Sequence, residues 1–442
     1  MSEISGTLHP RERVLIPEAP PASGLRECPI AHGSDQDSGS PLLRGAAPFN
    51  IAIEIRSDLA SAADEWKAFE PHADCTPFQT FGWLEKWQRH IGALKGTVPA
   101  VVFGRDEQRR ILFILPLAIG RRSVLRALTW LGLELGDYNG PLLANCFFEH
   151  PAAKDFSAVW KAVVALLRSD ARFRFDLIDL PKMPDTIGMQ ENPFLRLKIL
   201  PHRSGAYVAT LGRSWDGYYA SRRSASTRKT LRRKQKQLEE HGEIRFVEPA
   251  ASVAAAHTLA TLIEQKSRVF ARMGVENIFM RPGYRDFYLS LVTDPVVRDF
   301  VHVSRLDVGE TIAATNLGLQ FRGRYYLILS SYHGGEISRF GPGRTHLHEL
   351  LRRAIERGFT YFDFTIGDEP YKLDWADRQL VLYDHLAAYT ARGWLVASAV
   401  NFLRAATRLI KTTPVLWHLA VKLRAFAGRF ARTRKAAVGA SE

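Results

Sequence analysis

Two stretches of the chain gather side chains able to do chemistry. The first is SRFGPGR, Ser338 to Arg344. Gly341 and Gly343 open the backbone, Pro342 fixes one φ angle, and the apolar period that follows predicts a helix starting at once. A helix start presents unpaired N–H groups and a partial positive charge. Glycines let an anion come close, and Arg344 adds a charge-assisted donor. The pattern suits a pyrophosphate, although an ordinary Pro-Gly turn before a helix has the same composition. The second stretch is FDFTIGDEPYKLDW, Phe362 to Trp375. Asp368, Glu369, Tyr371 and Lys372 lie just past an expected strand end, where loops carry chemistry, and Asp363 lies within that strand. Asp363 and Asp368 could take up a proton or anchor a polar substrate. For Asp363, a strand-end carboxylate held by backbone donors is an equal alternative. Lys372 could hold an anion as a point charge.

Metal chemistry is not expected. His346 and His348 lie two apart on a predicted helix, so they point to different sides and read as solvated histidines rather than ligands. The three cysteines, Cys28, Cys75 and Cys146, are far apart and show no metal or redox spacing. They fit a reducing, cytosolic setting.

The elements that must position these residues follow from periodicity. Strands are expected at 300–306, 311–321 and 324–332, joined by the turns DVGE and Arg322-Gly323. The loop HGGEISRFGPG then leads into a helix over 344–357, whose Leu347, Leu350, Leu351, Ala354 and Ile355 form one buried face. Gly358 closes it and a strand follows over 359–365. Upstream, 98–104, 110–119 and 125–131 read as strands, 152–168 as a helix and 173–180 as a strand. The closing strands are alike, FRFDLID and FTYFDFT. The chain therefore reads as an α/β (α+β) protein of two tandem, related units with mixed, mostly antiparallel sheets flanked by helices. The units span 49–200 and 201–390. They are preceded by a Pro-rich disordered tail, 1–48, and followed by basic amphipathic helices, 391–442. The second unit opens with a short strand at 207–211, one long basic helix over 215–241, a strand at 244–247 and helices at 253–272 and 283–292.

An antiparallel meander, a glycine loop, a helix and a strand together resemble the cofactor half of the GNAT acyltransferase fold. FQTFGWLEKWQRHIG, LGDYNGPLLA, STRKTLRRKQKQLEEHG and GDEPYK look like the CelD/BcsL-like branch, across roughly residues 50–390. The two-unit layout is also similar to Fem-type peptidyltransferases, which use aminoacyl-tRNA. The resemblance implies an acyl-CoA donor, acetyl-CoA first, with its pantetheine arm along 324–332 near Ser330. Its pyrophosphate would sit on Gly341, Gly343 and Arg344. The implied acceptor is the amine or hydroxyl of a saccharide or related metabolite, in cellulose or exopolysaccharide production. Acyl transfer needs a base, oxyanion donors and an acid for the thiolate. Asp363 or Asp368 would be the base or substrate anchor, and Tyr332 or Tyr371 the acid. Lys266 and Arg268 would line the acceptor site, with a solvated helix face as the blander alternative. A non-catalytic GNAT-fold partner of a polysaccharide synthase is the remaining alternative.

Charge bears on partners. The net charge of +14 favours anionic ones. Eight Lys or Arg fall between Arg222 and Lys236 with no acid. With no aromatics inside the run, solvated charge is the first reading, CoA phosphates or an anionic glycan the second, and tRNA the third. Nucleic acid is thus not the expected partner. The chain carries no signal-peptide pattern, so a cytoplasmic protein is expected. An apolar stripe at Leu416, Leu419, Leu423, Phe426 and Phe430 could lie on an anionic inner membrane or pack on the protein body.

Overall fold

The computed structural model describes residues 42–122 and 124–412, with side chains described as far as residue 403. The expected tail, apart from its last seven residues, and the apolar stripe at 416–430 lie outside the described residues. The first strand, Leu43–Ala47 (β1), starts ahead of the onset expected near Phe49 and pairs back onto Ile51–Arg56 (β2) as a hairpin.

The first unit continues with Val98–Arg105 (β3), Ile111–Arg122 (β4), Leu125–Trp130 (β5) and Leu177–Pro184 (β6). Between them lie the helices Phe81–Trp87 (α1) and Phe156–Ser169 (α2). The second unit has Ala206–Thr210 (β7), the helices Trp215–Arg222 (α3) and Ala225–Glu239 (α4), and Ile244–Val247 (β8). It continues with Ser252–Met273 (α5), Tyr284–Thr293 (α6), Val301–Val308 (β9), Thr311–Phe321 (β10) and Arg324–Tyr332 (β11). Pro342–Glu356 (α7), Tyr361–Ile366 (β12) and Arg378–Leu380 (β13) follow. Last come Leu382–Ala388 (β14) and Ala391–Thr412 (α8).

The expected basic helix is two helices. Ser224 ends the first by taking the cap position of the second, its hydroxyl accepting from the Thr227 N–H, while Arg223 is extended.

Each unit is an antiparallel meander whose last strand is reached through a helix and therefore runs parallel to its neighbour. In the first the order is β1-β2-β3-β4-β5-β6, in the second β8-β9-β10-β11-β12. Only β5/β6 and β11/β12 are parallel. The boundary between the units is not a single point in sequence. Strand β14, from the chain's end, pairs antiparallel with β6 in the first sheet, and β7 pairs with β12 in the second.

Both parallel pairs part company early. Strands β5 and β6 share two register positions and β11 and β12 share three, ending at Tyr326↔Asp363. Just beyond, β6 and β12 carry the same irregularity. Pro181 and Lys182 face only Asp384, and Phe364 and Thr365 face only Tyr207. The second residue of each pair has a left-handed backbone, φ 62° at Lys182 and φ 57° at Thr365. Such a φ is strained for a β-branched threonine and persists only where the surroundings enforce it. The two units are therefore related in backbone detail as well as strand order.

One apolar core crosses from unit to unit. Phe78, at the start of the aromatic segment, has ring contacts with Trp83, with Tyr138 and with Tyr326 of the second unit. Trp83 in turn meets Phe287 of α6. Phe78, Phe81, Leu84 and Trp87 are all buried, as one helical face requires. Because the exchanged strands and this core are shared, the units should unfold together. Phe78→Ala should cost about 3–5 kcal/mol in denaturant unfolding and leave a single transition; two separable transitions would contradict the shared core.

Candidate active site

The second unit opens where β11 and β12 diverge. After Tyr326 the remaining half of β11, out to Tyr332, runs along an opening that β12 does not fill. A register shift against β10 between Leu317 and Gly318 leaves Ile328 unpaired and re-aims the residues after it. Ser330 lies on this free stretch. Its carbonyl accepts from Lys266 Nζ of α5 at 3.2 Å, and its side chain hydrogen-bonds Tyr371. Burial pulls the Lys266 ammonium below its usual range, with Glu369 opposing and Lys372 reinforcing the shift. Burial pushes the Tyr371 phenol above its ordinary value, as does Glu369, so it keeps its proton near neutrality. Ser330, Lys266, Glu369 and Tyr371 thus meet at the opening.

The other expected residues separate. Lys266 and Arg268 are two apart on α5, so they face opposite sides, and Arg268 is exposed beside Glu264. Tyr332 is 43% exposed and lies over the helix start, where a Cβ on Gly343 would sit 3.2 Å from its ring. Asp368 is exposed at the rim, accepting from Ser204 Oγ at 3.1 Å. Lys372 is buried, its ammonium donating to the Ile366 carbonyl at 2.9 Å and the Thr365 carbonyl at 3.4 Å, with Glu369 at 2.9 Å. Three acceptors fill its three N–H bonds, so it clamps the strained end of β12.

Asp363 has no exposed surface. It accepts from Tyr138 Oη at 2.7 Å, from the Thr365 N–H at 2.8 Å and from Arg324 at 3.1 Å. Burial raises its pKa against the pull of Arg324. These donors belong to both units, so this carboxylate joins them.

A residue the sequence did not single out stands beside it. Asp137, in the LGDYNG loop, has its carboxyl raised above the usual range by burial, against the pull of Lys182 and the hydrogen bond to Thr365. The loop is fixed by Asn139 Nδ2 donating to the Pro181 carbonyl at 3.1 Å and by Gln79 donating to the Tyr138 carbonyl at 2.7 Å. Asp137 therefore lies between the two strained residues, Lys182 of one unit and Thr365 of the other. The DY pair between glycines was the one signal for it.

At the start of α7, Gly341 is left-handed, with φ 76°. Its N–H bonds to Ser338, and the Arg344 and Thr345 N–H groups both turn back to its carbonyl. Pro342 has no N–H, so the first turn leaves the Gly343 N–H for an anion rather than a full nest. The positive charge comes instead from side chains. A cleft of about 380 Å³ between α3, α4 and α7 is lined by Arg228, Arg232, Lys234, Arg344 and Arg352, with Trp215 and Tyr219 stacked 5.0 Å apart.

The two histidines do point to different sides of α7, but neither is solvated. His346 is 2% exposed and hydrogen-bonds Ser304 at 3.0 Å, and His348 packs on Trp215, Tyr219 and Trp375. Among the described residues no His, Cys, Asp and Glu group could hold a metal ion, and no helix is long and apolar enough to cross a membrane.

Residues 225–373 match the family model described as Acetyltransferase (GNAT) domain, so the second unit has the GNAT-type acyltransferase fold. No curated protein matches. Among solved structures, FemX is 12% identical, with 73% of this chain and 93% of that chain covered and a TM-score of 0.47. The L-PGS of Bacillus licheniformis is 12% identical over 76% of this chain and 96% of its own, with a TM-score of 0.46. A tandem GNAT protein from the clavulanic acid biosynthesis pathway is 9% identical over 79% and 98%, with a TM-score of 0.39.

Two outcomes follow for stability. Asp363→Ala should cost about 3–5 kcal/mol, because it leaves Arg324 and Tyr138 without their buried partner, whereas Asp368→Asn should stay within about 0.5 kcal/mol by denaturant unfolding. The second concerns pH. Burial lowers His346 from 6.5 to about 3. Below about 6.5 the unfolded chain takes a proton that the folded chain refuses, so stability falls toward acid by up to about 1.4 kcal/mol per pH unit per histidine. His346→Gln should flatten that slope between pH 6 and pH 4, and an unchanged slope would contradict the assignment.

Proposed function

We propose that the protein is an acyl-CoA-dependent N- or O-acyltransferase whose donor lies in the second unit. The observation that carries the reading is the opening between β11 and β12, which runs toward the basic cleft at the start of α7. An extended pantetheine arm can hydrogen-bond along the free edge of β11 near Ser330. The cleft suits the donor's phosphates: Arg344 and the Gly343 N–H for the pyrophosphate, Arg228, Arg232 and Arg352 for further negative charge. The Trp215–Tyr219 stack offers a flat face for a base ring.

At the reacting end, Tyr371 keeps its proton and can donate to the developing oxyanion or the leaving thiolate. Lys266, with its lowered pKa, is a better proton donor than an exposed lysine and serves the same leaving sulfur. Asp363 is fully buried, takes three donors from the two units, and acts as the anchor of the site. Asp137, carrying a raised carboxyl at the junction, is the base of choice for an acceptor amine or hydroxyl, and Asp368 a rim anchor for that substrate. A saccharide acceptor in exopolysaccharide production is the setting supported by the GDEPYK resemblance. An aminoacyl-tRNA donor would use the same basic cleft, and product formation dependent on charged tRNA would favour it.

Calorimetric titration with acetyl-CoA should give micromolar binding that Arg344→Glu reduces at least about tenfold, a loss of about 1.4 kcal/mol or more. Absence of binding to any acyl-CoA would end the acyltransferase reading.

A further inference from the structure

Helix α8 follows β14 with one face fixed to the protein and another exposed. Its start is set by Asp176. The carbonyl of Asp176 accepts from the Tyr389 and Thr390 N–H groups, and its carboxylate accepts from Thr390 Oγ1 at 2.9 Å. Thr390 Oγ1 in turn accepts from the Gly393 N–H at 3.1 Å, as an N-cap does. A Cβ at Gly393 would sit 2.1 Å from the Asp176 carbonyl oxygen, so only glycine lets the helix start this close to the sheet. One turn on, Ala397 is buried, and Val396 packs with Leu386 on the cluster of Leu125, Ala127 and Leu177. The inner face is thereby held.

The outer face is apolar. Trp394 and Leu395 are each 63% exposed and Phe402 is 73% exposed. At 3.6 residues per turn these three side chains fall within about 100° of arc. Ser398 and Ala399 lie on the same face, exposed and uncharged. Single apolar side chains on a surface are ordinary, whereas two aromatic rings and a leucine on one face of a fixed helix mark a contact surface.

What covers this face must also match its charge. Residues 391–412 hold Arg392, Arg404, Arg408 and Lys411 and no acid. From 391 to 441 the chain carries ten Lys or Arg and neither Asp nor Glu. Arg121, exposed at the end of β4, lines the same cavity as Val400 and Leu403 and adds a cation beside the helix. A second copy of this face would set cations against cations. The chain's own 413–442 segment would do the same, because it holds six of those ten. An anionic lipid surface instead supplies negative headgroups and an apolar layer beneath them. Trp is favoured at that boundary, where its ring is buried and its N–H stays wet. No described helix is long and apolar enough to cross a membrane, which leaves α8 lying along the surface.

We propose that the outer face of α8 docks the protein on an anionic phospholipid bilayer. Trp394, Leu395 and Phe402 enter the headgroup boundary, and the neighbouring Lys and Arg meet the lipid phosphates. The face shares no residue with the second-unit opening, so the proposal stands apart from the acyltransferase reading.

The test is co-sedimentation of the full chain with vesicles of phosphatidylcholine alone and of phosphatidylcholine carrying about one third phosphatidylglycerol. The anionic vesicles should bind at least about tenfold more tightly, and added salt should weaken that binding. Trp394→Ser combined with Phe402→Ser removes the rings without changing the charge, and should lower the affinity at least about tenfold. Both side chains are exposed, so this double variant should keep its thermal unfolding midpoint within about 2 °C. No binding to anionic vesicles, equal binding to both kinds, or full binding by the double variant would each overturn the proposal. Two further results would assign the face to another occupant and overturn it as well. One is a dimer in sedimentation velocity that the double variant breaks, which gives the face to a second copy. The other is an unfolding midpoint that falls beyond that margin, which gives it to the chain's own 413–442 segment.

Discussion

A carboxylate with no exposed surface must find its hydrogen bonds inside the protein, and Asp363 finds them in three places at once. Tyr138 comes from the first unit, Arg324 from the neighbouring parallel strand, and the Thr365 N–H from two residues along its own strand. To donate there, Thr365 must leave the regular strand conformation, which is where its left-handed φ arises. That bend carries β12 away from β11 and leaves the edge of β11 open. The buried charge, the strain and the opening are one construction. Lys372 reinforces it by capping the Thr365 and Ile366 carbonyls.

The first unit repeats the bend at Lys182 with different means. There the backbone N–H of the strained residue donates to Asp384 at 3.1 Å, and Asp384 also meets His202 at 2.7 Å. Asp384 sits on β14, the strand supplied from the chain's end, so the first unit cannot complete its own bend without the last part of the sequence. The exchange of β7 and β14 thus ties the two openings into one structure, with Asp137 between them.

Much of this was legible in the sequence. Period-two runs gave 311–321 and 324–332 their boundaries, and the apolar stripe of the α7 helix was readable because packing and propensity agree there. The Arg322-Gly323 turn was readable from its glycine. The break at Ser224 was missed because the basic run looks uniformly helical, while a single serine cap outweighs it. Strand exchange was invisible: β7 and β14 have ordinary strand composition, and which sheet they join is decided by tertiary pairing. Among the candidate residues, Lys266 and Tyr371 both reach Ser330, whereas Arg268, two positions along the same helix, faces away. Asp363 read equally as a base and as a held strand-end carboxylate, and Lys372 as an anion holder; both have their charges met inside the protein, which sequence alone does not distinguish from a charge facing substrate. Asp137 went unremarked because its importance comes from Lys182 and Thr365, both distant in sequence.

The central claim is that the diverging edge of β11 and the start of α7 hold an acyl-CoA donor. Hydrogen exchange of backbone amides with and without desulfo-CoA tests it most directly, because it reads the proposed contacts without requiring turnover. Slowed exchange should appear in residues 327–332 and 341–348, together with the cleft-facing part of the 225–239 helix. Protection absent from all three, or confined to the first unit, would contradict it.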